Sequence, residues 1–171
     1  MQSITVILLC APGALTLAQQ QVIAKASSLY LQTERHPSAD AVRLYNGAFQ
    51  TMDDLFESSE DFDALNGAIA QRLCENAPCV YVATGSIQNS QLPVIREAAK
   101  RSNIDISVLP YLSAGDVAFP AHSRGNAISA HDLPDQIDPE QNYIVEEIDS
   151  VLAAGEAKLY LGEYFPDDWK I

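Results

Sequence analysis

The run Ser3–Leu9, SITVILL, constrains the fold more than any other feature of this chain. It is continuously β-branched and aliphatic, without polar alternation, as a strand buried on both faces of a parallel sheet must be. It breaks at Ala11-Pro12-Gly13, short of the ~18 apolar residues of a membrane span, and carries no basic segment ahead of it. The run therefore reads as a buried first strand, with the cytoplasm as the expected location and no membrane partner.

Strand and helix signals then alternate along the chain. Thr16 to Ala26 has a helical stripe (Leu17, Val22, Ile23, Ala26) with Thr16 placed as N-cap. Ser28 to Thr33 predicts a second strand, His36-Pro37 opens a helix through Asp40 to Tyr45, and Phe49 to Met52 predicts a short third strand. Glu60 to Glu75 is the clearest helix, with Phe62, Leu65, Ile69 and Leu73 on one face. Cys79 to Thr84 predicts a fourth strand, Asn89 to Ser102 a helix, and Asp105 to Leu109 a fifth strand. Five strands alternating with helices imply an α/β lobe over residues 1–112, built on a five-stranded parallel sheet with right-handed crossovers. Residues 113–171 read as a smaller α+β lobe. Its elements are a short helix at Ser113 to Ala121, strands at Asn126 to Ala130 and Tyr143 to Ile148, and an amphipathic helix from Glu156 to Tyr164.

The charge excludes one class of partner. Ten Lys and Arg against 23 Asp and Glu give a formal net charge of -13, which repels a phosphate backbone, so no nucleic acid is expected. Cys10, Cys74 and Cys79 are odd in number and lack zinc-knuckle spacing, so they read as free thiols.

In open parallel sheets, ligands bind beyond the carboxyl ends of the strands. That rule selects the loops at Cys10 to Ala14, Thr84 to Asn89 and Pro110 to Gly115. Their lining offers backbone donors and acceptors rather than charged groups, which suits a neutral or adenosine-like ligand better than an acid/base pair. His36 and His131 are the histidines that could be called catalytic; His36, ahead of a proline at a helix start, reads rather as a capping or packing residue. Asp167-Asp168 reads as a solvated tail. Glu146, Glu147, Asp149, Glu156 and Glu163 lack the regular helical spacing of a metal-binding set.

An ordered series of segments carries a resemblance. These are Leu31 to Pro37 (LQTERHP), Met52-Asp53-Asp54-Leu55-Phe56, Glu60-Asp61-Phe62, Val80 to Gly85, Val108 to Ser113, Ala130 to Leu133, and Tyr143 to Trp169. In that order they resemble the tetrapyrrole (corrin/porphyrin) methylases, above all the N-terminal methylase-like domain of MazG-type nucleotide pyrophosphohydrolases. The resemblance implies two α/β lobes, S-adenosylmethionine as cofactor, a homodimer, and a possible MazG-type pyrophosphohydrolase domain as partner. It also implies a cofactor-binding lining of Ala11, Pro12, Gly13, Thr84, Gly85, Ser86, Pro110 and Ser113.

The loops depart from the family's pattern. Of a Gly-x-Gly-Pro-Gly-Asp run after the first strand only Pro12 and Gly13 remain, and the acid is absent. After the fifth strand Tyr111 stands where a glycine is usual, placing a ring where backbone would approach a ligand. Two functions are expected on this basis. One is an S-adenosylmethionine-dependent methyltransferase with eroded cofactor loops; the other is a non-catalytic dimerisation or regulatory module.

Overall fold

The computed structural model describes residues 2–84, 90–118, 125–148 and 150–165. It divides into two compact units, Met1–Ser113 and Ala114–Ile171. In the first unit the elements run β1 (Ser3–Leu9), α1 (Leu17–Lys25), β2 (Leu29–Leu31), α2 (Ser38–Arg43), β3 (Gln50–Thr51), α3 (Asp53–Ser58), α4 (Phe62–Glu75), β4 (Cys79–Thr84), α5 (Gln91–Arg101) and β5 (Asp105–Val108). The second holds α6 (Ala114–Ala118), β6 (Gly125–Ser129), β7 (Asn142–Glu146) and α7 (Val151–Gly162).

The five strands of the first unit form one parallel sheet in the order β3-β2-β4-β1-β5. β1 lies inside the sheet, paired with β4 from Ile4–Cys79 to Leu9–Thr84 and with β5 from Ser3–Asp105 to Val6–Val108. Its continuous apolar run is explained by this position. Ile4, Val6 and Leu8 enter the cluster that packs α4 and α5, while Ile7 and Leu9 enter the cluster that packs α1 and α2.

Local sequence sets the helix starts. The Thr16 hydroxyl accepts from the Gln19 N–H at 3.3 Å, and the Gln19 carboxamide oxygen accepts from the Thr16 N–H at 2.9 Å. This capping box satisfies two N-terminal donors of α1 reciprocally. Gln19 is fully buried and also donates to the Leu8 carbonyl at 3.4 Å, tying α1 to β1. At α4, the Asp61 carboxylate caps the Ala64 N–H at 2.7 Å. At α2, the Ser38 N–H donates to His36 Nδ1 at 3.2 Å, and burial lowers the His36 pKa. The imidazole therefore acts as a neutral acceptor at the helix start.

Several expectations need correction. The second strand is shorter than Ser28 to Thr33, because Gln32 and Thr33 turn their side chains to Thr84 and Asp53 instead of continuing the ladder with β3. The third strand shrinks to Gln50–Thr51, since Met52 already begins the turn into α3. Helix α3 lacks a periodic stripe and buries no residue, so no pattern announced it. Phe62 is 64% exposed at the first position of α4, outside the buried face of Leu65, Ile69 and Leu73.

In the second unit β6 and β7 pair in parallel, Gly125 with Asn142 through Ser129 with Glu146. Helix α7 begins at Val151 rather than Glu156, with Ser150 capping the Ala153 N–H at 3.1 Å. Its apolar residues are not gathered on one buried face. Ala153 and Ala157 are buried, while Val151, Leu152 and Leu159 are exposed. Tyr160 anchors it by donating to the Pro134 carbonyl at 2.5 Å, and Tyr164 donates to the Asp135 carbonyl at 3.2 Å.

A buried polar chain links β4 to both helices on its face. The Tyr81 hydroxyl donates to Gln91 Oε1 at 2.6 Å, and Gln91 Nε2 donates to Asn66 Oδ1 at 3.1 Å. All three side chains are buried, so removing one donor strands an acceptor in the core. Tyr81→Phe is expected to cost about 1–3 kcal/mol in urea unfolding, against a near-neutral result if water can replace the hydroxyl.

Candidate functional site

Adjacent strands β1 and β4 send their following helices to opposite faces of the sheet. After β1 the chain runs to α1, whose Ile23 packs in the cluster with Ala39 and Val42; after β4 it runs to α5, whose Leu92 and Ile95 pack in the other cluster with Leu65 and Ile69. Where neighbouring connections diverge in this way, a crevice opens beyond the strand ends, and that is where open α/β sheets take ligands. Ala11, Pro12 and Gly13 follow β1, and Thr84 ends β4.

Ala11 is half-buried against the α1–α2 cluster, and its carbonyl accepts from the Ala14 N–H at 3.0 Å, closing a tight turn over Pro12 and Gly13. Both turn residues are exposed. A Cβ built on Gly13 would meet nothing within 4 Å, and its backbone lies outside the left-handed region. The fold itself therefore does not demand glycine there; an approaching ligand would. Ala14, which closes the turn, is buried.

The loop after β5 is tied to the loop after β1. Cys10 Sγ donates to the Leu112 carbonyl at 3.0 Å, and the Leu109 N–H donates to the Val6 carbonyl at 3.0 Å. Pro110 is exposed and Ser113 half-buried. The Tyr111 ring is half-buried against the α4–α5 cluster, whereas Cys10 and Ala11 pack against the α1–α2 cluster. The structure thus brings Ala11, Pro12, Gly13, Thr84, Pro110 and Ser113 to one edge of the sheet, on the neighbouring strands β4, β1 and β5. Gly85 and Ser86 lie outside the described residues, as do Asp149 and Asp167-Asp168.

The sequence did not single out Gln32. Its backbone N–H donates to the Val82 carbonyl at 2.9 Å, and its Oε1 accepts from the Thr84 N–H at 2.7 Å and the Thr84 hydroxyl at 3.2 Å. In the sequence it stands only as one residue of the predicted second strand and of the segment Leu31 to Pro37.

Next to it sits a polar cluster at the ends of β2 and β3. Asp53 accepts from the Thr33 hydroxyl at 2.6 Å and from the Glu34 N–H at 3.0 Å. Arg72 forks onto Asp54 at 2.7 and 2.6 Å, Arg35 pairs with Glu57, and Arg43 pairs with Glu34 and Asp40. Burial raises the Asp53 pKa, but hydrogen bonds from Thr33, Glu34 and Thr51 and the charge of Arg35 outweigh it and hold the carboxyl below its ordinary value.

Two open grooves among the described residues lie elsewhere. One open groove of about 790 Å³ lies between α4 and α5, lined by Ala70, Cys74, Val94 and Ala98 among others. A second, of about 490 Å³, borders Thr5, Gln21 and Lys25. Neither touches the strand-end loops. Cys10, Cys74 and Cys79 form no disulfide, and burial pushes the Cys79 thiol up to about 11. Among the described residues no group of three or more His, Cys, Asp or Glu is placed to hold a metal ion, and no helix is long and apolar enough to cross a membrane.

Two solved structures share this architecture. Uroporphyrin-III-C-methyltransferase from Thermus thermophilus superposes with a TM-score of 0.58 at 17% identity, covering 96% of this chain and 75% of that one. A putative cobalamin synthesis related protein (CobF) from Corynebacterium diphtheriae gives 0.52 at 16% identity, covering 90% and 75%. The fold is that of the tetrapyrrole methylases. At these identities the likeness is one of fold. No family model matches the chain. A curated relative, the uncharacterized protein YabN of Bacillus subtilis (strain 168), is 24% identical over 168 residues, which are 92% of this chain. The chain spans about a third of that relative's length, 34%.

With a depressed native pKa, Asp53 contributes stability that is present above the ordinary carboxylate range and lost as pH falls through its own lower pKa. Below about pH 4 the urea midpoint of the native protein should converge on that of Asp53→Asn, which should lie lower at neutral pH. Parallel curves over the whole range would show that Asp53 is not linked to stability.

Proposed function

We propose that this chain is a tetrapyrrole-methylase-like domain that binds S-adenosylmethionine beyond the ends of β1 and β4 and serves methyl transfer. The observation that carries this reading is the divergence of the two connections to opposite faces, with an exposed Gly13 turn whose surroundings are open. The lining fits an adenosyl ligand: small side chains, exposed turn backbone and hydroxyls at Thr84 and Ser113, with no charged side chain among these positions.

When bound, the cofactor supplies a sulfonium-activated methyl group. Such a transfer needs donor and acceptor held in line rather than a strong acid or base. Ala11 to Gly13 would present backbone to the ligand, Thr84 would flank it from β4, and the Cys10–Leu112 bond would hold the third loop in place. Absence of the loop acid removes one anchor from that arrangement, not the positioning.

Isothermal titration with S-adenosylhomocysteine tests the reading without turnover. A dissociation constant in the micromolar range, about -8 kcal/mol, is expected. Gly13→Val should abolish the heat while leaving the melting temperature unchanged, because the added side chain enters open space. No heat at millimolar ligand would remove the methylase reading.

A second reading is favoured by α7. Val151, Leu152 and Leu159 are 91%, 70% and 77% exposed, an apolar surface suited to a protein partner. On this reading the domain is a dimerisation or regulatory module, a homodimer or the companion of a MazG-type nucleotide pyrophosphohydrolase. Light scattering on the chain should give twice the monomer mass, and Leu152→Glu with Leu159→Glu should return it to monomer. A monomeric parent would dismiss the homodimer.

A further inference from the structure

Gln32 stands at the end of β2, one strand beyond Thr84 on the same edge of the sheet. Its side-chain oxygen is identified by chemistry, not by choice of rotamer, because the backbone N–H of Thr84 can only donate and lies 2.7 Å away. The Thr84 hydroxyl adds a second donor to the same oxygen at 3.2 Å. With Oε1 fixed in this way, Nε2 must face the other direction with both of its protons, and among the described residues it donates to no acceptor. The residue is half-buried, and the two hydrogen bonds to its oxygen hold the amide in this orientation.

The surrounding cations are committed elsewhere. Arg35, Arg43 and Arg72 each pair with a carboxylate of the chain. The neutral Gln32 amide is thus an oriented donor, next to a residue that lines the proposed cofactor site, with no protein acceptor of its own among the described residues. An oriented donor left unpaired in a site is how proteins select ligands carrying an acceptor in the matching place.

We infer that Gln32 is a ligand-binding residue, whose Nε2 donates a hydrogen bond to an acceptor atom of the bound adenosyl cofactor while Thr84 holds its oxygen. This rests on the cofactor reading proposed for the strand-end crevice and adds to it a residue on β2, outside the three loops.

The isosteric change Gln32→Glu separates binding from structure. A glutamate keeps an oxygen for the Thr84 N–H and hydroxyl, but replaces the amide donor by a second acceptor. The variant is expected to melt with the parent and to bind S-adenosylhomocysteine at least about tenfold more weakly in calorimetric titration. A second readout uses the unmodified chain. In ¹⁵N-edited NMR the Gln32 side-chain amide pair, assigned by its loss in Gln32→Glu, should shift as S-adenosylhomocysteine is added. If the parent binds and the variant binds equally well, or the amide pair stays still at saturation, the inference fails and the cofactor reading stands. If the parent does not bind, both fall.

Discussion

Six residues of β1 pair in parallel with six of β4, and nearly everything else in the first unit is arranged around that seam. Because both strands are interior, each must be apolar on both sides, which divides their side chains between two cores. The α1–α2 cluster and the α4–α5 cluster are those two cores, and they take the connections after β1 and β4 apart from each other. The divergence at the strand ends arises from this division rather than from any residue of the loops. A sheet divided in this way keeps its diverging connections whatever residues its strand-end loops carry.

Few polar side chains enter these cores, and those that are hydrogen-bonded secure joints between elements. Gln19 holds α1 to β1, Tyr81 and Gln91 hold β4 to α5, and Asn66 extends that chain to α4. Buried hydrogen bonds of this kind add modest net stability, yet they penalise any packing that leaves a member unpaired. They fix the start of the helix on either side of the seam, and with it the geometry of the strand ends.

The parts of the fold that were legible in the sequence are those with continuous or periodic apolar content. Ser3–Leu9 and Cys79–Thr84 announce themselves as interior strands, Thr16 as a cap, and Leu65, Ile69 and Leu73 as a buried helix face. Phe62 misled because it falls on the same helical spacing yet occupies the first turn, beyond the reach of the sheet. Helix α3 was missed because it buries nothing. In α7, small alanines do the packing, so the larger apolar residues give the wrong face. Glycine, proline and serine punctuation marked the chain that follows β1 and β5. The Gln32–Thr84 pair was out of reach, since its partners are brought together only when β2 and β4 become neighbours.

The order of strands in the sheet also dictates an order in time. β1 is made well before either of its partners, for Ile4 waits for Cys79 and Ser3 for Asp105. During synthesis it is an unpaired apolar strand, and β2, made next, pairs with β3 and β4 rather than with it. Non-local parallel pairing of this kind is slow to form and leaves sticky edges uncovered while it does. The segment that defines the finished sheet is thus also the segment most in need of shelter while the chain is still being made.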